Sequence, residues 1–192
     1  MNNTEVNAHR DWVTGCVLLL VLIITRSGHF GSGFKLPDAS WAMFWLAGAL
    51  SQRWWWPAFL LSSAAVVDYL VISHGVSSYC VTPAYPFLIP AYLSLWGAGR
   101  WVSQSLSIEW QSSLRIVISV LNGVTVAFII SNYSFYVFSE NFALLTAWQY
   151  TQATMQYWPA YLLHTSVYVV AGLLIHFVVQ SIQTLRTSHQ TT

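Results

Sequence analysis

Charge is what this chain has least of: Asp, Glu, Lys and Arg together make up 7% of its 192 residues. Soluble domains carry about 25%, so a surface built to face water is excluded. The net charge of +1 offers nothing that would draw in nucleic acid or an acidic partner. Cysteine is nearly absent as well, with only Cys16 and Cys80. No C-x-x-C and no Cys/His cluster at zinc spacing occurs, which excludes a disulfide framework and a structural zinc site. A thiol oxidoreductase needs paired cysteines for exchange, and these two do not form a pair. No Walker A sequence is present, so the chain itself hydrolyses no ATP. Internal repeats and low-complexity segments are also lacking.

What the chain has in abundance is apolar surface. Hydrophobic residues make up 56%, and there are 11 Trp, 10 Tyr and 10 Phe. This is the composition of an all-α integral membrane protein, and residues 1–192 read as a single transmembrane domain. A barrel would need alternating strands of about ten residues, and runs such as 17–24 do not alternate. The aromatics exceed what interfacial belts require, so some of them are expected to line a cavity. Arg10 before an apolar run resembles a signal peptide. However, Glu5 and Asp11 interrupt its basic region and no cleavage site follows, so it reads as a retained first helix.

Six apolar stretches are candidate transmembrane helices: 12–25, 38–50, 54–73, 84–102, 114–138 and 157–182. A full span takes roughly 20 residues, so the first two are short. With six spans, one side carries Arg10, Arg53, Arg100, Arg115 and Arg186, and the other only Arg26 and Lys35, both assigned to the first loop. That asymmetry predicts both termini inside, N-in and C-in, by the positive-inside rule. The outer side then holds the Gly-rich stretch 28–33, the long connection 139–156 and Cys80. The connection 139–156 is long enough for an interfacial helix or a lid. Cys16 falls near the inner end of its helix, too far from Cys80 for a disulfide, whose Cα atoms lie within about 7 Å.

Cys80 lies in Ser77-Ser78-Tyr79-Cys80-Val81-Thr82-Pro83, a polar break between two apolar runs. A thiol there is a nucleophile and a soft metal ligand. Pro83, Pro86 and Pro90 stiffen the chain that follows it and present Tyr85 just beyond the thiol. Asp68 is the only acidic residue well inside a span. A carboxylate at that depth is a candidate functional group, able to bind a ligand's amides or to pair with a nearby Tyr, His or backbone amide. Tyr157, Tyr161, His164 and Tyr168 fall at helical spacing on one face, which is expected to point into the bundle or a cavity. Interhelical hydrogen bonding is the alternative role for that face. Asn122, Thr125, Asn132 and Tyr136 form a weaker polar line, read as bundle packing. His29 and His74 read as surface residues. His164 and His176 lie about 18 Å apart along one helix and about 120° apart around it, so they cannot bracket one haem.

The segment Tyr79-Cys80-Val81-Thr82-Pro83-Ala84-Tyr85-Pro86, with the chain length and six-span pattern, resembles the BtuM-type cobalamin transporters. These are relatives of the substrate-binding S-components of energy-coupling-factor (ECF) transporters. The resemblance covers essentially the whole chain, and the Cys-containing segment is its specific part. It implies an S-component-like bundle whose ligand is cobalamin (vitamin B12), bound from outside. It implies that Cys80 coordinates the cobalt in the axial position vacated by the nucleotide base, and that its thiolate strips cyanide from cyanocobalamin. Cobalt would then enter with the substrate, with no intrinsic metal in the protein. Tyr85, Asp68, Tyr157, Tyr161 and His164 become pocket candidates by position. Many S-components carry small residues four apart on the first helix to dock an ECF coupling module. Here Gly15-Cys16-Val17-Leu18-Leu19-Leu20 lacks that pattern, in line with the solitary transporters of this family. The lipid bilayer of a bacterial inner membrane is the remaining expected partner. A carrier for another small vitamin, with Cys80 incidental, is the competing expectation.

Overall fold

A computed structural model describes residues 3–28, 36–51, 53–74, 82–139, 142 and 144–189. The Gly-rich stretch and Cys80 lie outside the described residues, apart from Gly28, which ends the first helix. Among the described residues, seven α-helices follow one another: α1 Asn3–Gly28, α2 Ser40–Leu50, α3 Trp56–Ser73, α4 Leu88–Val102, α5 Trp110–Phe138, α6 Ala147–Met155 and α7 Trp158–His189. No strand occurs among the described residues. Among the described residues, three stretches are long and apolar enough to cross a membrane: Trp56–Ser73, Trp110–Phe138 and Trp158–Gln183. Their outer faces carry exposed Val66, Val117, Ile129, Leu174 and Ile175, the surface of a membrane protein rather than of a soluble one. By the rise of about 1.5 Å per residue, α2 is only about 16 Å long, well short of a hydrocarbon core.

The centre of the bundle is α2. Its residues from Ser40 to Ala49 are all buried, and it touches α1, α3, α4, α5 and α7. A helix that is apolar all round needs protein on every side, and the five neighbours supply it. Its closest partner is α4. A Cβ on Gly48 would collide with the Trp96 carbonyl, and one on Gly99 with the Trp45 carbonyl. The two glycines therefore let the backbones touch, as small residues do between membrane helices. The Trp45 indole N–H donates to Ser119 Oγ (3.0 Å), which in turn donates to the Ala98 carbonyl (2.6 Å). This joins α2, α5 and α4.

Local signals explain the helix ends. Asp38 Oδ1 accepts from the Ser40 N–H (2.9 Å) and hydroxyl (2.6 Å), fixing the entry to α2. Pro57 sits in the first turn of α3, where a missing N–H costs nothing. The prolines after Cys80 behave similarly. Pro86 falls in a short 3₁₀ turn, Tyr85–Phe87, and Pro90 in the first turn of α4. The connection 139–156 does hold a short helix, α6, opened by a reciprocal capping box between Thr146 and Gln149.

The two ends of the bundle differ. At one end Trp12, Trp55 and Trp56 pack together, with centroids 5.0 and 5.7 Å from Trp12 to the other two. Arg53 lies 5.8 Å over Trp12 and Trp55 and pairs with Asp11 at 2.9 Å. Arg100 donates to the Ser51 carbonyl at this end (3.2 Å). Exposed Trp54, Trp101 and Trp110 complete an aromatic and basic rim of the kind found at a membrane–water interface. The opposite end, where α1 and α3 finish and α4 begins, holds a buried polar cluster.

Candidate functional site

Arg26 organises that cluster. The sequence pattern places it in the first loop. It lies instead in the last turn of α1, 8% exposed, because its side chain has a complete set of acceptors inside the bundle. Its Nε donates to Asp68 Oδ1 and its Nη2 to Asp68 Oδ2, both at 2.6 Å. Its Nη1 donates to Tyr92 Oη (2.9 Å), Ser40 Oγ (3.1 Å) and Asp38 Oδ2 (3.4 Å). A planar fork facing a carboxylate in this way gives both orientation and strength.

Asp68 is held from a second direction. The Tyr85 hydroxyl donates to its Oδ2 at 2.7 Å. One guanidinium thus ties α1, α2, α3, α4 and the 3₁₀ turn together. Two further bonds brace the connection into α2. The Ala39 N–H donates to Thr25 Oγ1 (3.2 Å), and the Tyr168 hydroxyl to the Pro37 carbonyl (2.8 Å), bringing in α7. Tyr92 stacks flat on Phe44, centroids 4.4 Å apart at 6°, which fixes the phenol that Arg26 uses. The cluster holds two carboxyl groups against one guanidinium. Asp38 is the more open of the two, with its side chain 32% exposed against 10% for Asp68.

Of the residues singled out in the sequence, the structure joins Asp68 and Tyr85 directly. It does not bring Tyr157, Tyr161 and His164 to them. The four residues do share a face, Tyr157 just before α7 and the other three on it, but the buried stripe of that helix is Thr165, Val169 and Leu173. At about 100° per residue, the two lines lie roughly 100° apart. The polar face therefore runs along the edge of the packed surface. Tyr168 reaches inward. Tyr161 packs one side against Trp41 (4.7 Å) and Phe128 (5.7 Å) and stays 44% exposed. Tyr157 and His164 are exposed. The expectation of an inward-facing line holds only for Tyr168 and for one side of Tyr161.

On α5, Thr125 accepts from the Trp158 indole (3.2 Å), a bond between helices. Asn122 and Asn132 bond back to carbonyls of their own helix, and the Tyr136 hydroxyl donates to the Leu145 carbonyl (2.9 Å). Only Thr125 of that line bonds across helices, so the expectation of bundle packing is met at that one residue. His74 is exposed, as expected. Cys16 is exposed and free, on the part of α1 where Gly15 faces the Trp56 ring. That is the end opposite the Arg26 cluster.

Sequence reasoning missed Arg26, Asp38, Ser40 and Tyr92. Two signals pointed toward them. A carboxylate inside a span needs a cation at its own depth, and Arg26 and Lys35 were the only basic residues assigned to that side. Tyr92 follows Tyr85 by seven residues, two helical turns, on one face. Neither a protein-family model nor a curated protein matches this chain.

Proposed function

We propose that this protein is a cobalamin uptake protein of a bacterial inner membrane, with the cobalt of the incoming substrate ligated by Cys80. The observation that carries the reading is the position of the Arg26–Asp68–Tyr85 network. It braces α3 and the turn after Thr82, the described elements on either side of residues 75–81. A two-point buried ion pair is thus applied to the described elements that flank, in sequence, the thiol suited to capture.

In this reading α1, α2, α3, α4, α5 and α7 all cross the membrane as an S-component-like bundle. Helix α2 does so surrounded by protein rather than lipid, so its length need not match the bilayer. Both termini are cytoplasmic, and Cys80 faces the periplasm or the outside. The Trp and Arg rim is then the cytoplasmic interface, with its basic residues on the side that the positive-inside rule requires. Tyr85, Tyr157 and the α7 residues Tyr161 and His164 are, in this reading, the groups that meet the corrin ring. A thiolate is a strong soft donor to a metal with an exchangeable axial position, which gives capture without a preformed metal site.

The test is the visible spectrum of protein purified after growth with cobalamin. Bound corrinoid colours the preparation, and Cys80→Ala removes the cobalt–sulfur bands while the helical signal stays. A colourless wild type that binds a different vitamin would replace this reading with that of a carrier in which Cys80 is incidental.

A further inference from the structure

Two arginines meet at the Trp rim, at the end of the bundle opposite the Arg26 cluster, and Ser51 ties them together. Arg100 Nη1 donates to the Ser51 carbonyl (3.2 Å). The Ser51 hydroxyl donates to Asp11 Oδ1 (2.7 Å) and accepts from the Arg53 N–H (3.2 Å). Asp11 Oδ2 in turn lies 2.9 Å from Arg53 Nε. Asp11 is the one carboxylate of this set and faces two guanidinium groups, so one positive charge in the set is left uncompensated.

Helix α3 adds to that excess. It begins at Trp56, three residues after Arg53, with no acidic residue in its first turn and no side chain capping it. A helix N-terminus carries partial positive charge, so Arg53 stands where a cation is least favoured. Its guanidinium is nonetheless held in place, 5.8 Å over the Trp12 and Trp55 rings. The Arg53 side chain is 37% exposed, and Arg100 is exposed as well. A guanidinium offers five N–H donors in a planar fork. Among the described residues, Nη1 and Nη2 of Arg53 and Nε and Nη2 of Arg100 have no hydrogen-bond acceptor.

We propose that Arg53 and Arg100 bind the phosphodiester of an anionic phospholipid headgroup. A fork of free donors on a preordered guanidinium suits phosphate oxygens. The surroundings suit a lipid rather than a soluble anion: Trp54, Trp101 and Trp110 are exposed on the same rim, and indoles at headgroup level pack along the glycerol and upper acyl chain. A zwitterionic headgroup would bring its own cation into a site that already carries excess positive charge; an anionic one does not. This site is the same whatever the protein transports.

The test uses full-length protein, delipidated in a neutral detergent and titrated with phosphatidylglycerol or phosphatidylcholine, with bound lipid counted by native mass spectrometry. Wild type is expected to bind phosphatidylglycerol at least about tenfold more tightly than phosphatidylcholine. Arg100→Gln should weaken phosphatidylglycerol binding about fivefold, and Arg53→Gln with Arg100→Gln should lower it to the phosphatidylcholine level. Arg115→Gln removes an exposed arginine of α5 outside this set of bonds; it controls for diffuse attraction and should change binding less than about twofold. Melting temperatures without lipid are followed in parallel. If Arg53→Gln unfolds, Arg100→Gln decides, because the α2–α4 contact at Gly48 and Gly99 does not use the Arg100 side chain. Binding should also withstand millimolar inorganic phosphate. Equal affinity of wild type for the two lipids would overturn the proposal, as would a loss in Arg115→Gln as large as that in Arg100→Gln. Displacement of the lipid by inorganic phosphate would make this a site for a soluble anion and overturn it too.

Discussion

Arg26 and Asp68 lie 42 positions apart in sequence and meet in a two-point ion pair, 2.6 Å on each arm, inside the bundle. Burying such a pair is expensive, and its worth depends on both partners staying. Arg26→Met alone leaves a carboxylate with only Tyr85 beside it. Asp68→Leu alone leaves a guanidinium facing Asp38, Ser40 and Tyr92. Each is expected to cost about 3–5 kcal/mol. Arg26→Met with Asp68→Leu removes both charges and should cost less than either single change. Thermal unfolding in detergent checks the order; an additive double variant would show that the pair does not act as a unit.

The glycines between α2 and α4 give a second prediction. Gly48→Ala and Gly99→Ala each drive a methyl group into a facing backbone carbonyl, and backbone cannot yield as a side-chain tip can. A loss of about 1–3 kcal/mol is expected for each. Gly97 lies on the same helix as Gly99 with nothing within 4 Å of its added Cβ. Gly97→Ala should be neutral or stabilising by up to about 1 kcal/mol, from helix propensity alone. Melting temperatures of the three variants side by side decide it.

The all-helical class and most element positions were legible in the sequence because long apolar runs and prolines announce them. The predicted stretches 54–73 and 114–138 fall on α3 and α5 within a few residues. What periodicity could not show was that α2 is surrounded by protein, since a helix apolar on all sides reads the same beside lipid as inside a bundle. Arg26 was misplaced for a related reason. A charge at the end of an apolar run looks like a loop residue until its partner, contributed from α3, is brought to it. Asp68 and Tyr85 were found by residue type and depth. The inward reading of His164 and Tyr157 failed because shared spacing defines a face without saying which way it points.

Sidedness gives a third prediction. If the basic and aromatic rim marks the cytoplasmic interface, a membrane-impermeant maleimide added to spheroplasts of a Cys16→Ser strain labels Cys80 before lysis. Excess cobalamin should protect the thiol. Labelling that appears only after lysis would invert the topology.

Cyanide removal is the last prediction and the one that asks most of Cys80. In the proposed step the Cys80 thiolate donates to cobalt, the cobalt–carbon bond to cyanide breaks, and cyanide leaves with the electron pair of that bond and takes a proton from water. That exchange leaves the oxidation state of cobalt unchanged; a small thiol added to the solution completes turnover by taking the cobalt as its thiolate while the Cys80 thiolate leaves with its electron pair, since the chain has no cysteine besides Cys16 and Cys80 and Cys16 lies on α1 toward the Trp rim. Asp68 and Tyr85 transfer no proton in this scheme; they hold the geometry. Their loss should therefore weaken binding of cyanocobalamin more than it slows cyanide release per bound molecule. The measurement is absorbance of cyanocobalamin over time, with purified protein under reducing conditions. Wild type should convert it, Cys16→Ala should match wild type, and Tyr85→Phe should match it at saturating protein. Wild type and Cys80→Ala leaving cyanocobalamin equally intact would reduce the role of Cys80 to capture and transport.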